Sequence, residues 1–539
     1  MQDEILKFYE LSKAKVCDET TQLFINLAPQ IRAWLSSDEF RQNYSHLTYA
    51  PLLNPKNINY QTSEPELCFI LNIPLPPFFD FFIFGSHGVS LESAVPGFLK
   101  LCGCKCVARD GEDEAEFMYI SYFKRLVLAN KAKQNNECVS VALLIADFIQ
   151  DELSDKFYAL VPCAKTLYIV RDPITNLKTL CNLEQQVGDT DTNDDDFSEI
   201  SSEFDETIKT AKRKARKHLA YRFSADPYIL SKDLIQYSLE VDGSLNIGAS
   251  VPSADVAGLW MRELYQCFHD GMLFNALINI NQEDILIKKT EDLIGKNAMP
   301  TMCELARHFG FLEPKPSDEW LFNLRVSDYK ALLPATLLAN ANESLYNENS
   351  LGGGGKHIKQ NLSQTEQKEN KVFLIDENEF LPVFIHSVFM DNSAFVDISE
   401  LFEISKLFCV LLSDTTDVMR AKDEKMLAKL RPYIKELCAC LEKQSQIQKA
   451  KKLSENDILE YFKTHEQERM MFYGLLKQHL RVLGSLRPDI LAGYKYYQQF
   501  LSLCEQDKDK NEYRLIKGAN KRYIYALFSK ERLRQLGQN

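Results

Sequence analysis

The 539-residue sequence lacks any long hydrophobic run. Its most apolar stretches, FFDFFIFG from Phe78 and ALLIAD from Ala142, fall well short of the roughly 18 residues that a membrane span needs. The first residues, MQDEILKFYELSKAK, begin acidic and contain no apolar core of the secretory type. We therefore expect a cytoplasmic protein with no membrane span.

A second absence concerns cysteine chemistry. The 14 cysteines are sparse for a disulfide framework, and none of them forms a CxxC pair, so we expect reduced thiols. The cluster Cys102, Cys104 and Cys106 has neither the spacing of a zinc knuckle nor a histidine beside it. Buried or half-buried thiols are the expected interpretation, a metal site is the alternative, and no metal is predicted.

The chain also lacks an excess of positive charge, because its formal net charge is −13. This net charge argues against non-specific binding of nucleic acid or of an anionic membrane over the whole protein surface. The acidic stretch GDTDTNDDDFSEISSEFDE is followed by a basic run, IKTAKRKARKHLAYRF, which is either a solvated helix face or a rim that attracts anions. The cations of this run are Lys212, Arg213, Lys214, Arg216 and Lys217.

What is present is an alternation of short apolar runs with helical patterns, which predicts an α/β fold with a parallel sheet flanked by helices. Hydrophobic content of 45% supports real cores. We predict four parts: an N-terminal helical and extended segment at residues 1–70, an α/β domain at 71–345 with a charged insertion near 184–218, a linker at 346–371, and a mainly helical C-terminal domain at 372–539.

One predicted strand, from Phe79 to Phe84, leads into the loop GSHGVS and then into a predicted helix from Leu91. A buried strand, a glycine-bounded loop and a helix start together outline a phosphate-binding turn, in which backbone amides and a helix N-terminus face an anion. Ser90 would contribute a hydroxyl at the start of the helix, where it also suits the N-cap position.

A second stretch, LYIVRDPITNLKTL, carries Arg171 at the end of a predicted strand and Thr179 eight residues later on a helix. At this spacing the helix can bring the hydroxyl beside the guanidinium, so one phosphate could contact both groups. The alternative is a surface ion pair between Arg171 and Asp172.

With the later segment EDLIGKNAMPTMCELARHFGF, these stretches resemble the nucleotide-dependent sulfotransferases. The resemblance implies a P-loop sulfotransferase-like sheet that binds 3′-phosphoadenosine 5′-phosphosulfate or adenosine 3′,5′-bisphosphate. Backbone amides of the loop would bind the 5′-phosphate, and Arg171 with Thr179 would bind the 3′-phosphate. The loop residues are Gly85, Ser86, His87, Gly88, Val89 and Ser90.

Two positions depart from that family or stay open. The sulfotransferase loop carries Lys or Arg where this sequence has Ser86, so a main stabiliser of the transferring group is missing. His87 is the candidate catalytic residue, as a donor or a base, with a structural brace as the alternative. Glu291 and Asp292 of the later segment are expected to be structural.

A second resemblance involves PLLNPKNINY, NIPLPP and RPDILAGYKYYQQF, the last at Arg487 to Phe500. These stretches are similar to an uncharacterised bacterial family whose members are often labelled β-1,4-N-acetylgalactosaminyltransferases. The label implies a cell-surface sugar pathway. The helix of the last stretch either packs the helical domain onto the sheet or presents aromatic rings to an acceptor.

The sequence thus predicts a transferase that moves a sulfuryl group from a nucleotide donor to a hydroxyl of a carbohydrate-type acceptor. The alternatives are sugar transfer and nucleotide binding without turnover. A metal-dependent sugar transferase needs an Asp-x-Asp at a strand end, whereas DTD at Asp189 and DKD at Asp507 fall in charged stretches with no strand before them. Nothing in the sequence indicates the acceptor or the oligomeric state.

Overall fold

The structure is a computed structural model of the chain. It describes residues 2–91, 94–108, 114–145, 151–186, 221–232, 235–263, 268, 270–277, 279–329, 331–346, 380–390, 392 and 394–508. The charged run at residues 212–217 and most of the predicted linker lie outside these ranges, as do Asp189 to Asp191.

The strands of the described residues fall into three sheets. They are β1 Phe81–Gly85, β2 Cys104–Val107, β3 Ser140–Ile145, β4 Lys165–Val170, β5 Glu184–Gln186, β6 Tyr221–Arg222, β7 Ile235–Val241, β8 Ser244–Ala249, β9 Ile285–Lys289, β10 Ala335–Ala339, β11 Leu381–Ser387, β12 Val396–Asp397 and β13 Phe408–Leu412.

The α-helices of the described residues surround these sheets. They are α1 Gln2–Ser12, α2 Asp18–Leu35, α3 Asp38–Asn43, α4 Pro65–Ile70, α5 Ala94–Leu101, α6 Ala115–Gln134, α7 Ser154–Ala159, α8 Pro173–Cys181, α9 Pro227–Lys232, α10 Ala257–Glu263, α11 Asp270–Ala276, α12 Ala298–Phe309, α13 Glu319–Phe322, α14 Thr415–Ala421, α15 Glu424–Lys451, α16 Glu455–Thr464, α17 Glu466–His479, α18 Arg481–Leu486, α19 Pro488–Ala492 and α20 Lys495–Lys508.

The central sheet has five strands in the order β2-β3-β1-β4-β9, and every pair in it is parallel. Each residue of β1 is buried, which is typical of a strand covered by helices on both faces. Phe81 and Ile83 point into one core with α5 and α12, while Phe82 and Phe84 point into another with α6 and α8. The α/β prediction is therefore confirmed.

A second sheet of five strands, in the order β12-β13-β11-β10-β6, was not predicted. Its strands β10 and β11 pair antiparallel, with Ala335 opposite Ile385, although the predicted linker separates them in the sequence. This sheet shares a core with α5, α12 and the long helix α15. A third, three-stranded antiparallel sheet contains β5, β7 and β8.

The C-terminal region from α14 onward is helical, as predicted. Helix α16 begins with a capping box: the Ser454 hydroxyl accepts from the Asp457 amide, and the Asp457 carboxylate accepts from the Ser454 amide. Helices α16, α17 and α20 meet at a cluster of three aromatic rings, those of Phe462, Phe472 and Phe500. None of the described helices is long and apolar enough to cross a membrane.

Candidate functional site

The candidate site lies at the carboxyl ends of β1 and β4, which are neighbours in the central sheet. The chain leaves β1 toward β2 on one side of the sheet, whereas it leaves β4 toward β9 on the other side. Open α/β sheets bind ligands in the crevice where the connections diverge in this way. The sheet order therefore brings the loop after β1 and the strand end at Arg171 together at the position that favours a ligand.

The loop Gly85 to Ser90 is tightly packed against its neighbours. A Cβ atom on Gly85 would lie 2.6 Å from the Ile169 carbonyl oxygen, so only glycine fits between β1 and β4 at this level. Gly88 has φ +87°, and a Cβ there would lie 2.3 Å from Asn176 Oδ1. Both glycines are therefore required by the loop's shape.

Ser90 does not occupy the N-cap position that the sequence suggests. Its φ is +73°, whereas an N-cap residue has extended backbone, and the helix begins four residues later, at Ala94. The Ser90 carbonyl oxygen instead accepts a hydrogen bond from the Val95 amide. The prediction of a helix starting at Leu91 is corrected in the same way, because Leu91 lies in a turn.

Ser86, at the position of the missing loop cation, is turned inward. It is 2% exposed, and its hydroxyl accepts a long hydrogen bond of 3.5 Å from Asn176 Nδ2 of α8. His87 is half-buried in the turn that follows, and its catalytic role stays a prediction. Val89 is buried and its amide closes the turn onto the Ser86 carbonyl oxygen at 3.4 Å.

Arg171 and Thr179 lie side by side. Arg171 Nη1 donates to Thr179 Oγ1 at 2.9 Å and to the Gly88 carbonyl oxygen at 2.8 Å. The Thr179 hydroxyl in turn donates to the Thr175 carbonyl oxygen at 3.0 Å. The guanidinium therefore joins the loop after β1 to helix α8, and the spacing of eight residues brings the two side chains together.

Two buried polar atoms in this cluster have no hydrogen-bond partner among the described residues: Arg171 Nε and Asn176 Oδ1. The Arg171 side chain is only 9% exposed, and the nearest carboxylate oxygen, Glu291 Oε1, lies 3.8 Å from Nε, beyond hydrogen-bond distance. Most buried polar atoms in native proteins are satisfied, so such exceptions mark places where a ligand can bind. Arg171 Nε has the chemistry to donate to an oxygen of an anion, and Asn176 Oδ1 to accept from a donor group.

Charged groups of both signs surround Arg171. Burial lowers the pKa of Arg171, Glu291 opposes that shift, and the positive charge of Arg325 adds to it. Burial likewise lowers the pKa of Lys178, which forms a largely buried ion pair of 2.8 Å with Glu455. Arg171, Lys178 and Arg325 thus lie close enough to repel one another, whereas Glu291, Glu455 and Asp172 attract Arg171, so both signs of charge meet here.

Asp172, next to Arg171, does not form the surface ion pair that the sequence left open. It is 6% exposed and serves two helices at once. One carboxylate oxygen accepts from the Ile174 amide of α8, and the other accepts from the Tyr496 and Tyr497 amides of α20, at 2.9 and 3.1 Å. The segment RPDILAGYKYYQQF therefore packs the C-terminal helices onto the end of β4.

The cysteine cluster shows no ligand-like arrangement. Cys102 and Cys104 are buried, and burial raises the pKa of Cys102 and of Cys106 to about 12, which keeps both thiols protonated. Within the described ranges, no group of three or more His, Cys, Asp or Glu side chains is placed to hold a metal ion. Asp507 lies in the last turn of α20, whereas its motif partner Asp509 lies outside the described residues.

Four site residues were missed by the sequence analysis. Asn176 and Lys178 are on the same short helix as Thr179. Their spacing from Arg171 in the sequence could therefore have indicated that they lie near it. Glu291 was part of the EDL segment but received a structural role. Arg325 follows α13, far from the other residues in the sequence, and carried no local signal at all.

Comparison with known proteins adds one finding. Residues 289–506 match a family model described as a protein of unknown function (DUF2972), which covers less than half of the 539 residues. The match begins at the end of β9 and includes Glu291, Arg325 and the C-terminal helices, but neither the loop after β1 nor Arg171. No curated protein and no solved structure matches the chain.

Proposed function

We propose that this protein is a transferase of the sulfotransferase-like class. In this proposal, the loop Gly85 to Ser90, Arg171 and Thr179 bind the phosphates of 3′-phosphoadenosine 5′-phosphosulfate, and a sulfuryl group moves to a hydroxyl of a carbohydrate-type acceptor. The proposal extends to a cytoplasmic location.

The observation that supports it best is the Arg171 guanidinium. This buried cation stands at the switch point of a parallel sheet, contacts both the glycine loop and a hydroxyl eight residues away, and keeps Nε without a hydrogen-bond partner among the described residues. A buried cation that lacks a full set of acceptors is costly unless a ligand supplies them. A phosphate group supplies several acceptor oxygens with a matching negative charge.

The residues of this chain have separable tasks in that scheme. Arg171 orients the donor by one phosphate through Nε, Thr179 joins that phosphate when its hydroxyl proton turns away from the Thr175 carbonyl oxygen, and the positive φ of Gly88 shapes the loop backbone. Lys178 is held by Glu455 and contributes charge without direct contact. His87, half-buried in the same loop, is the candidate to accept the proton of the acceptor hydroxyl.

Nucleotide binding without turnover is the second candidate, and Ser86 favours it. The side chain at this position is small, neutral and 2% exposed, so the loop does not supply the cation that sulfotransferases use there. Substituting lysine for Ser86 would force a charge into the space beneath the loop. The proposed enzyme therefore has to stabilise the transferring group from elsewhere, and Arg325, whose charge acts on Arg171, is a candidate for that role.

Isothermal titration with adenosine 3′,5′-bisphosphate, AMP and UDP tests the binding part of the proposal. We expect the bisphosphate to bind best, Arg171→Ala to weaken it by about 10- to 100-fold, and Thr179→Val to weaken it by about 3- to 10-fold, from the usual strengths of charged and neutral hydrogen bonds. Arg307→Ala is the matched control, because Arg307 is exposed and pairs with Glu313 away from the loop.

Equal binding by wild type and Arg171→Ala would refute the phosphate site, and tighter binding of UDP than of the bisphosphate would support sugar transfer instead. Transfer of radiolabelled sulfate from the donor to an acceptor separates the two candidates. A bound bisphosphate with no transfer to any hydroxyl compound would support the nucleotide-binding protein without turnover.

A further inference from the structure

A pocket lies beside the candidate phosphate site, at the carboxyl end of β9. Its volume is about 260 Å³. It is formed between the EDL segment that follows β9 and the RPDILAG segment that contains α19. The residues lining it are Ile287, Lys288, Lys289, Asp292, Arg487, Asp489, Ile490 and Gly493. Two motifs that the sequence analysis singled out for different reasons therefore meet at one cavity.

The pocket and the phosphate site are adjacent along the sheet edge. In the β4–β9 pair, Lys289 lies opposite Val170, the residue just before Arg171. Glu291, two residues after Lys289, lies 3.8 Å from Arg171 Nε. A compound in the pocket is thus next to the group that we assign to donor binding, which is where an acceptor has to lie.

Most of the charges that line the pocket are already paired. Three cations, Lys288, Lys289 and Arg487, face two carboxylates, Asp292 and Asp489. Arg487 is held by two hydrogen bonds to Asp489, and Asp292 accepts from the Lys289 backbone amide.

Lys288 pairs with Glu304, outside the pocket, so the groups that remain are Lys289 and Asp292. Their charges balance, but the Lys289 ammonium has no ion pair to any residue in the described part of the chain. Lys289 is therefore the lining cation that can pair with an anionic group of a ligand, while the Asp292 carboxylate can accept a hydrogen bond from a hydroxyl.

The other lining groups suit a hydroxylated ring. Carboxylate oxygens accept hydrogen bonds from hydroxyls, and Ile287 and Ile490 offer apolar surface to the C–H face of a ring. A volume slightly below the ~300–1,000 Å³ of drug-sized sites suits one ring unit.

We propose that this pocket binds the acceptor, a single hydroxylated ring that carries one carboxylate or phosphate group, with Lys289 as the residue that recognises the anion. The assignment as acceptor rests on the proposed transferase function, whereas the binding of such a compound does not. Sugar acids and sugar phosphates share this chemistry, and the experiment distinguishes them.

The test is isothermal titration of the full chain with glucuronate, glucose 6-phosphate and glucose. We expect one of the two anionic sugars to bind at least 10-fold more tightly than glucose. Lys289→Gln should remove that preference and Lys289→Arg should retain it, because arginine keeps the charge. Lys315→Gln, a change at an exposed lysine outside the pocket, should leave it unchanged.

Two results would overturn the proposal: no preference for either anionic sugar, or a preference that persists in Lys289→Gln. Adenosine 3′,5′-bisphosphate binding, measured in the same variants, separates this proposal from the proposed function. Lys289→Gln should keep bisphosphate binding and lose the sugar, whereas Arg171→Ala should lose the bisphosphate and keep the sugar. If the wild type bound no bisphosphate but still preferred an anionic sugar, the donor site would be refuted and the pocket would stand.

Discussion

Asp172 offers the sharpest test of how the C-terminal helices are joined to the parallel sheet. Its carboxylate accepts from the amides of Ile174, Tyr496 and Tyr497, so Asp172→Ala removes acceptors from three backbone donors in two helices. Each lost charge-assisted bond is worth about 1.5 kcal/mol or more, but removing a buried carboxylate also recovers its desolvation cost. Burial indeed raises the pKa of Asp172 even though four backbone amides lower it.

The net loss that we expect from Asp172→Ala is about 3 kcal/mol, against ~1 kcal/mol for Asp172→Asn, which keeps one acceptor oxygen. The measurement is hydrogen exchange in the peptide that contains residues 494–500. A local loss of this size speeds exchange by about 100-fold there, since each 1.4 kcal/mol is a factor of ten. Hydrogen exchange in the middle of α15 should stay unchanged, because the hydrogen bonds to Asp172 come from α8 and α20.

A matched control is Asp414→Ala. Asp414 caps one helix only, through a hydrogen bond of 2.9 Å from the Asp417 amide, so its loss should cost about 1 kcal/mol. If Asp172→Ala cost no more than Asp414→Ala, or if the 494–500 peptide exchanged at the wild-type rate, the inference that one carboxylate joins α8 to α20 would be wrong.

Two further predictions concern the loop and a buried carboxyl. Gly88→Ala should lower the melting temperature and weaken bisphosphate binding by at least 10-fold, because its Cβ would lie 2.3 Å from Asn176 Oδ1. The control is Gly295→Ala, at φ +59° with open space around it, which should cost only the backbone strain of about 1 kcal/mol. Equal effects of the two substitutions would refute the packing argument. Burial raises the pKa of Asp270 to about 7, although a hydrogen bond from Tyr168 opposes this shift. Between about pH 4 and pH 7 the folded state therefore holds a proton that the unfolded state has lost. The free energy of unfolding consequently falls as the pH rises through this range. Asp270→Asn should therefore gain stability relative to wild type, by about 2 kcal/mol between pH 5 and pH 8 in urea titrations, and a pH-independent difference would contradict this.

The alternation of strands and helices along the chain that forms the central sheet was predictable because its signals are local. Runs such as FFIF and TLYIV, followed by helical periodicity, occur within a few residues of one another. The same holds for the contact of Arg171 with Thr179, since one short helix sets the distance. The second sheet was not predictable in this way, because β10 and β11 pair across a long stretch of chain and each strand alone is only a short apolar run.

The sequence by itself determined the α/β class, the glycine loop after β1, the capping box at Ser454 and the pairing of Arg171 with Thr179. Only the tertiary structure decided that Ser86 is buried, that Asp172 joins two helices, and that Lys289 and Arg487 line one pocket. The physical reason is the range of the interactions. Periodicity and capping act over a few residues, whereas burial, the direction of a side chain and the neighbours of a charge depend on segments that meet only when the chain has folded.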